Sequence, residues 1–174
     1  MKHNQDWTPT DLESLPASAQ PVTQYKPAGD RATYDRLYTH WGDSSARDHY
    51  RIAWRTQVPL TGERTLTPSI IPPGSAHVDG LYSASSPQHH EDALVLASGA
   101  LSSLLVDFYT RSRGFSHIRS SAANSLPTVI PTSPLARRVR YRALRLNCLT
   151  EAYANLWTEC WDESFVTDSP ILER

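Results

Sequence analysis

The stretch YRIAWRTQV, residues 50–58, has the clearest strand pattern in the chain. Ile52 and Trp54 alternate with Arg51 and Arg55, so apolar and charged side chains point to opposite sides. A period of two is typical of a half-buried strand. We therefore predict that the two apolar residues are buried. The two arginines should be exposed and free to contact a phosphate or the edge of a guanine.

Two further strands are predicted after this one. RTLTPSIIPPG, residues 64–74, contains a strand-like run from Leu66 to Ile71 that follows a turn around Gly62. Pro68 interrupts the run, and proline lacks the N–H that a central strand needs, so we expect an edge strand or a bulge. HVDGLYS, residues 77–83, predicts a third short strand.

Two long helices are predicted to follow the strands. Residues 91–112 contain small residues such as Gly99 that allow close backbone approach, and they place five large residues on a broad apolar face: Leu94, Leu101, Leu104, Leu105 and Phe108. The last helix begins after Ser133, its predicted N-cap, and repeats apolar residues at a spacing near 3.5 as far as Cys160. The predicted fold class is α+β, with short mixed or antiparallel strands followed by two long helices.

The chain divides into three predicted parts. Residues 1–48 contain four prolines, each of which disfavours a helical residue before it, so we expect an extended lead-in there. Within it, residues 30–43 have the spacing of a short helix. Residues 49–165 form the α+β domain, and residues 166–174 form a tail.

The composition is that of a soluble globular protein. Of 174 residues, 39% are hydrophobic and 20% are charged, and no apolar run approaches the roughly 20 residues of a membrane span. The N-terminus has no apolar signal core, so a cytoplasmic location is expected. Cys148 and Cys160 fall in one predicted helix, about 18 Å apart, which is too far for a disulfide.

The charge distribution says more than the net charge of −1. From Phe108 to Thr150 there is no Asp or Glu, but there are eight arginines: Arg111, Arg113, Arg119, Arg137, Arg138, Arg140, Arg142 and Arg145. A locally basic stripe on a near-neutral protein is typical of a phosphate-binding face. An alternative stays open, because a high-GC genome also favours arginine, which accounts for 15 of the 17 basic residues.

The usual catalytic motifs are absent from the sequence. It has no P-loop, no glycine-rich dinucleotide turn and no G-x-S-x-G elbow. The best metal candidate is the cluster His89-His90-Glu91-Asp92. Adjacent histidines point to different sides of a strand or a helix, so we predict no metal site and no catalytic residue.

Six motifs occur in an order that resembles a known module: YRIAWR (50–55), TGERTL (61–66), SIIPPG (69–74), LSSLLVDFYTR (101–111), NSLPTVIP (124–131) and RALRLNCLTEAYANLW (142–157). The module is the C-terminal target-recognition region of large adenine-specific DNA methyltransferases. These are the type IIG restriction-methylases and the BREX, or phage-growth-limitation, methylases. The similarity covers roughly residues 20–161.

The resemblance implies an α+β recognition domain that enters a groove of double-stranded DNA while another domain does the chemistry. Family members carry an upstream methylase domain with a glycine-rich cofactor motif and an (Asp/Asn)-Pro-Pro-(Tyr/Phe) motif. Neither occurs here, since Ile71 precedes Pro72-Pro73 and Gly74 follows them. We therefore expect no methylation by this chain alone. S-adenosylmethionine would bind to a methyltransferase domain or subunit, and this chain would bind no cofactor.

Two sets of site residues follow from the resemblance and the charge pattern. The predicted DNA-binding residues are Arg51, Arg55, Arg64, Thr65, Arg111, Arg113 and Arg119. An alternative for Arg64 is a salt bridge to an acid such as Glu63 or Asp79. The other set would dock a partner subunit on the last helix and comprises Tyr153, Trp157 and Trp161. A protein-interaction subunit, or an inactive remnant that docks on a methylase or nuclease, is therefore the alternative function.

Overall fold

The computed structural model describes residues 10–20, 28–59, 61–85 and 90–167, and within them the fold is α+β. Strand β3 (Arg51–Arg55) is the centre of a three-stranded antiparallel sheet. Strand β4 (Ser69–Ile71) pairs with one side of it and strand β5 (Leu81–Ala84) with the other. Two short strands, β1 (His40–Trp41) and β2 (Ser44–Ser45), form a separate ribbon.

The central strand is buried on both faces. Ile52 and Trp54 are 5% exposed, as predicted, and the Trp54 indole N–H donates to the Ile118 carbonyl at 2.9 Å. The predicted exposure of Arg51 is wrong, because only 1% of it is exposed. Its guanidinium donates to the Tyr38 hydroxyl at 3.2 Å and to the Ser75 carbonyl, so segments distant in sequence cover this end of the face.

Strand β4 lies at an edge of the sheet, as Pro68 predicted. The backbone of β4 also forms hydrogen bonds on the side that faces away from β3. The Ile70 N–H donates to the Asn147 side chain at 2.8 Å, and the Ile70 carbonyl accepts from the Tyr153 hydroxyl at 2.9 Å. The C-terminal helices therefore satisfy the backbone groups that an edge strand would otherwise leave unpaired.

The predicted helix over residues 91–112 is two helices, α2 (Glu91–Leu101) and α3 (Leu104–Ser112), that meet at 62°. The break occurs because the Ser103 hydroxyl accepts from the Val106 N–H at 3.2 Å and starts a new helix. The bend turns three residues of the predicted apolar face towards solvent, where they are 70–74% exposed: Leu104, Leu105 and Phe108.

Gly99 of α2 lies directly against the C-terminal helix that contains Val139. A Cβ at this position would be 2.6 Å from a methyl group of Val139, so the predicted close approach is confirmed. In the described parts of the chain, no single helix has both the length and the apolar character to cross a membrane. Helices α2 and α3 meet that test only as a bent pair.

The predicted C-terminal helix is also divided, into α5 (Ala136–Asn147) and α6 (Ala154–Cys160). A 3-10 turn, Glu151–Tyr153, lies between them, and Leu135 rather than Ser133 occupies the N-cap position of α5. The two cysteines are thus not in one helix: Cys148 caps the end of α5, and Cys160 ends α6. Both thiols are free, and burial raises the pKa of Cys148 to about 11.

The predicted short helix near the N-terminus is confirmed in part. Helix α1 (Arg31–Leu37) begins after Asp30, whose carboxylate accepts from the Thr33 N–H at 2.9 Å. It ends before Trp41, which belongs to β1. A four-residue helix, α4 (Ser120–Ala123), follows the segment that pairs with the end of the sheet.

Candidate nucleic-acid interface

Two of the predicted DNA-binding residues, Arg55 and Arg119, line one cavity of about 820 Å³. Arg55 is the last residue of β3, and Arg119 precedes α4. Backbone pairing joins these distant segments, because the Ile118 N–H donates to the Thr56 carbonyl at 2.7 Å. The sheet therefore holds both residues at one end of its central strand.

Neither guanidinium in this cavity has a partner among the described residues. Arg55 and Arg119 are exposed, and no carboxylate lies within ion-pair distance of either one. Asp79 also lines the cavity, where its carboxylate accepts from the Gly80 N–H at 3.1 Å. His117 adds an imidazole to the same wall. Two free guanidinium groups on one concave surface suit a phosphate, which each can bind with two parallel N–H donors.

A second group of predicted DNA-binding residues surrounds the buried carboxylate of Asp107. The N–H groups of Thr65 and Leu66 each donate to Asp107 Oδ1 at 2.8 Å. Arg64 Nε lies 3.4 Å from the same oxygen, and Arg111 Nη2 lies 3.9 Å from Oδ2. Asp107 is 6% exposed, so this is an internal ion-pair cluster.

Further donors of the two arginines in the Asp107 cluster are also used inside the protein. Arg64 Nη2 donates to the Ser102 carbonyl at 2.9 Å. Arg111 donates to the Thr65 hydroxyl at 3.0 Å and to the Gly62 carbonyl at 2.8 Å. These contacts tie the loop before β4 to helix α3, so Arg64, Thr65 and Arg111 have a structural role here.

The pKa of Asp107 is lowered despite its burial. Burial by itself opposes ionisation, but the two backbone N–H donors and the charges of Arg64 and Arg111 outweigh it. The salt bridge that was expected as an alternative role for Arg64 is thus confirmed, but the acid that pairs with this arginine is Asp107 and not Glu63 or Asp79. The sequence does contain a signal for the ion pair of Asp107 with Arg111, because residues at i,i+4 spacing are neighbours on a helix.

Three other arginines of the basic stripe contact neighbouring side chains. Arg113 is exposed, with its guanidinium 5.9 Å from the centre of the Phe115 ring. On α5, Arg140 pairs with Asp92 at 2.8 Å, and the guanidinium of Arg145 lies 5.5 Å from the ring of Tyr141. The position of an arginine in the acid-free stretch therefore does not show whether its guanidinium is available to a phosphate. Arg51 is buried and is not available to one.

The three predicted partner-binding residues differ in how much of each is exposed to solvent. Tyr153 is 6% exposed and belongs to the core, so it is not available to a partner. Trp157 is partly buried and stacks on Trp161, with ring centres 5.4 Å apart. Trp161 is 41% exposed and contacts the edge of the Phe165 ring. Only the outer side of this aromatic pair faces solvent.

No protein-family model, curated protein or solved structure matches this chain. Among the residues that the structure describes, no group of three or more His, Cys, Asp and Glu side chains could hold a metal ion. His89 of the cluster at 89–92 lies outside the described residues.

Proposed function

We propose that this chain is a DNA-binding module of an adenine-specific methyltransferase system of the restriction-modification or phage-defence kind. It would hold double-stranded DNA for a separate catalytic domain or subunit, in the cytoplasm. The observation that carries the proposal is the cavity at Arg55 and Arg119, which two segments distant in sequence line with guanidinium groups that have no partner among the described residues. The order of the six sequence motifs supports DNA as the anion.

The role of the cavity is to position the DNA backbone. Guanidinium contacts to phosphate fix the register of a protein on a duplex, but they carry no sequence information. Base reading would come from loop side chains and from DNA shape. In this proposal S-adenosylmethionine and the catalytic residues belong to the partner, and this chain supplies affinity and orientation.

The test is duplex binding by fluorescence anisotropy over a range of salt concentrations. Each phosphate contact contributes about −0.9 to the slope of log K against log salt. Replacing Arg55 and Arg119 together with alanine should lower the magnitude of this slope by about 2 and weaken binding to all sequences alike. The matched control is Arg36→Ala, which removes an exposed arginine from the last turn of α1.

Two results would exclude DNA binding through this cavity. One is an affinity of the intact chain that is no better than millimolar at low salt and does not depend on salt. The other is an equal slope for the double variant and for Arg36→Ala.

The alternative function is docking on a methylase or nuclease subunit through the C-terminal aromatic pair. It is favoured by the exposure of Trp161, a residue that most often lies largely buried in a monomer. Trp161→Ala should then reduce co-purification with a methyltransferase subunit, while Arg55→Ala should not. Unchanged co-purification of the Trp161 variant would rule this surface out.

A further inference from the structure

A smaller cavity, of about 230 Å³, lies on the same face of the sheet as Arg55 but at the other end of β3. Arg51 lines it, together with the aromatic residues Tyr38 and Trp41 and with His77. Its walls come from the segment that leads into β1, from β1 itself, from the residue that follows β2, and from β5 with the segment before it.

Arg51 is a buried cation without a counter-charge among the described residues. It is 1% exposed, and no carboxylate pairs with it. Two of its five N–H groups have acceptors, Tyr38 and Ser75, while its buried Nε has none. Burial of a charge is costly unless an opposite charge compensates it. An anion in the cavity would supply that compensation.

The walls of the cavity favour a flat and singly charged ligand. Trp41 lines the cavity and supplies an aromatic ring, which is stacked against His49 with ring centres 5.8 Å apart. His77 bonds the Ser83 hydroxyl at 2.8 Å. Burial and the charge of Arg51 both lower the pKa of His77, so its imidazole is neutral at neutral pH. Among the described residues that line the cavity, Arg51 is therefore the one that carries a positive charge.

We infer that this cavity binds a small aromatic carboxylate, with its carboxylate against the Arg51 guanidinium and its ring against Trp41. A guanidinium and a carboxylate match in geometry and in charge. The volume of about 230 Å³ is below the roughly 300–1,000 Å³ of sites that hold drug-sized ligands, so the ligand is small. This site is separate from the proposed DNA contacts, because Arg51 is enclosed and out of reach of a duplex.

The inference can be tested with benzoate as the probe, by following backbone amide chemical shifts of the full chain. Benzoate should shift the amides of Arg51, His77 and Ser83 in a saturable way. Acetate has the charge without the ring and should bind about tenfold more weakly. Inorganic phosphate, which has no ring and is a mixture of monoanion and dianion at neutral pH, should bind more weakly than benzoate.

Trp41→Leu separates the role of the ring from the role of the charge. It keeps an apolar side chain in β1, and it should weaken benzoate binding about tenfold while leaving acetate binding unchanged. Trp161→Leu is the matched control at the other aromatic cluster and should change neither affinity. Both variants must give the amide spectrum of a folded protein.

Three results would overturn the inference. Benzoate could shift none of the cavity amides, phosphate could bind as tightly as benzoate, or the two tryptophan variants could bind benzoate equally well. None of these measurements uses DNA, so the outcome is independent of whether the Arg55–Arg119 cavity binds a duplex.

Discussion

Arg64 and Arg111 lie around the buried carboxylate of Asp107, whereas Arg55 and Arg119 line an open cavity in which no carboxylate of the described residues forms an ion pair with them. All four are half-buried or exposed arginines from the same predicted DNA-binding set. What separates them is the group that each guanidinium faces. When a single carboxylate lies next to an arginine in the folded structure, the arginine forms an internal ion pair instead of a contact with a phosphate. The following predictions test this difference, starting with the largest effect.

Asp107→Ala should destabilise the protein by about 3–5 kcal/mol, because it leaves two buried backbone N–H groups without their acceptor and two guanidinium groups without their counter-charge. The measurement is the free energy of unfolding in urea. Asp79→Ala is the matched control, since it removes an exposed carboxylate and should change stability by no more than about 0.5 kcal/mol. Equal effects of the two substitutions would mean that the Asp107 cluster adds nothing.

Acidification should weaken the Asp107 cluster. The pKa of Asp107 is lower in the folded state than in the unfolded chain, where it is about 3.9. Its contribution to stability is therefore complete above the unfolded pKa and is lost as the pH falls through the folded pKa. Unfolding free energies measured from pH 5 down to pH 2 should fall more steeply for the wild type than for Asp107→Asn. Parallel curves would contradict the lowered pKa.

Arg111→Ala should cost about 1 kcal/mol of stability. It removes hydrogen bonds to the Thr65 hydroxyl and the Gly62 carbonyl, but the side chain is 40% exposed, so water replaces part of what is lost. The salt dependence of DNA binding should stay unchanged in this variant. A slope reduced as much as in Arg55→Ala would move Arg111 into the DNA-contacting set.

Arg55→Ala and Arg119→Ala should each change the free energy of unfolding by less than about 0.5 kcal/mol, since neither guanidinium has a partner within the part of the chain that the structure describes. Thermal unfolding of the single variants checks this result. A loss above 1 kcal/mol in either variant would show that its side chain has a structural role, and the contrast with the Asp107 cluster would disappear.

Local patterns predicted most of the secondary structure. The alternation in residues 50–58 identified β3 and its buried Ile52 and Trp54, and Pro68 identified the edge position of β4. The two helix breaks were missed because the apolar spacing continues through Ser102 and Cys148. A periodic pattern predicts which face of a helix is apolar, but it does not show where the helix bends. The exposure of Leu104 and Phe108 follows from the first of these bends.

Site residues were harder to predict than elements. The period of two placed Arg51 and Arg55 correctly on one face of β3, but it could not say what covers that face. Tyr38 and Ser75 cover Arg51, and only Arg55 remains exposed. Likewise, the pairing of Gln57 with His117 brings Arg119 to Arg55, although no local pattern links the two arginines.

The sequence by itself determined the α+β class, the approximate positions of the strands of the sheet and the surplus of arginine after residue 107, because these depend on side-chain period, turn residues and composition. Only the tertiary structure decided which arginines are free. That outcome depends on contacts between residues far apart in the chain: Asp107 with Arg64, Tyr38 with Arg51, and Ile118 with Thr56. The chemistry of a guanidinium is the same at every position, and its role is set by the groups that packing places around it.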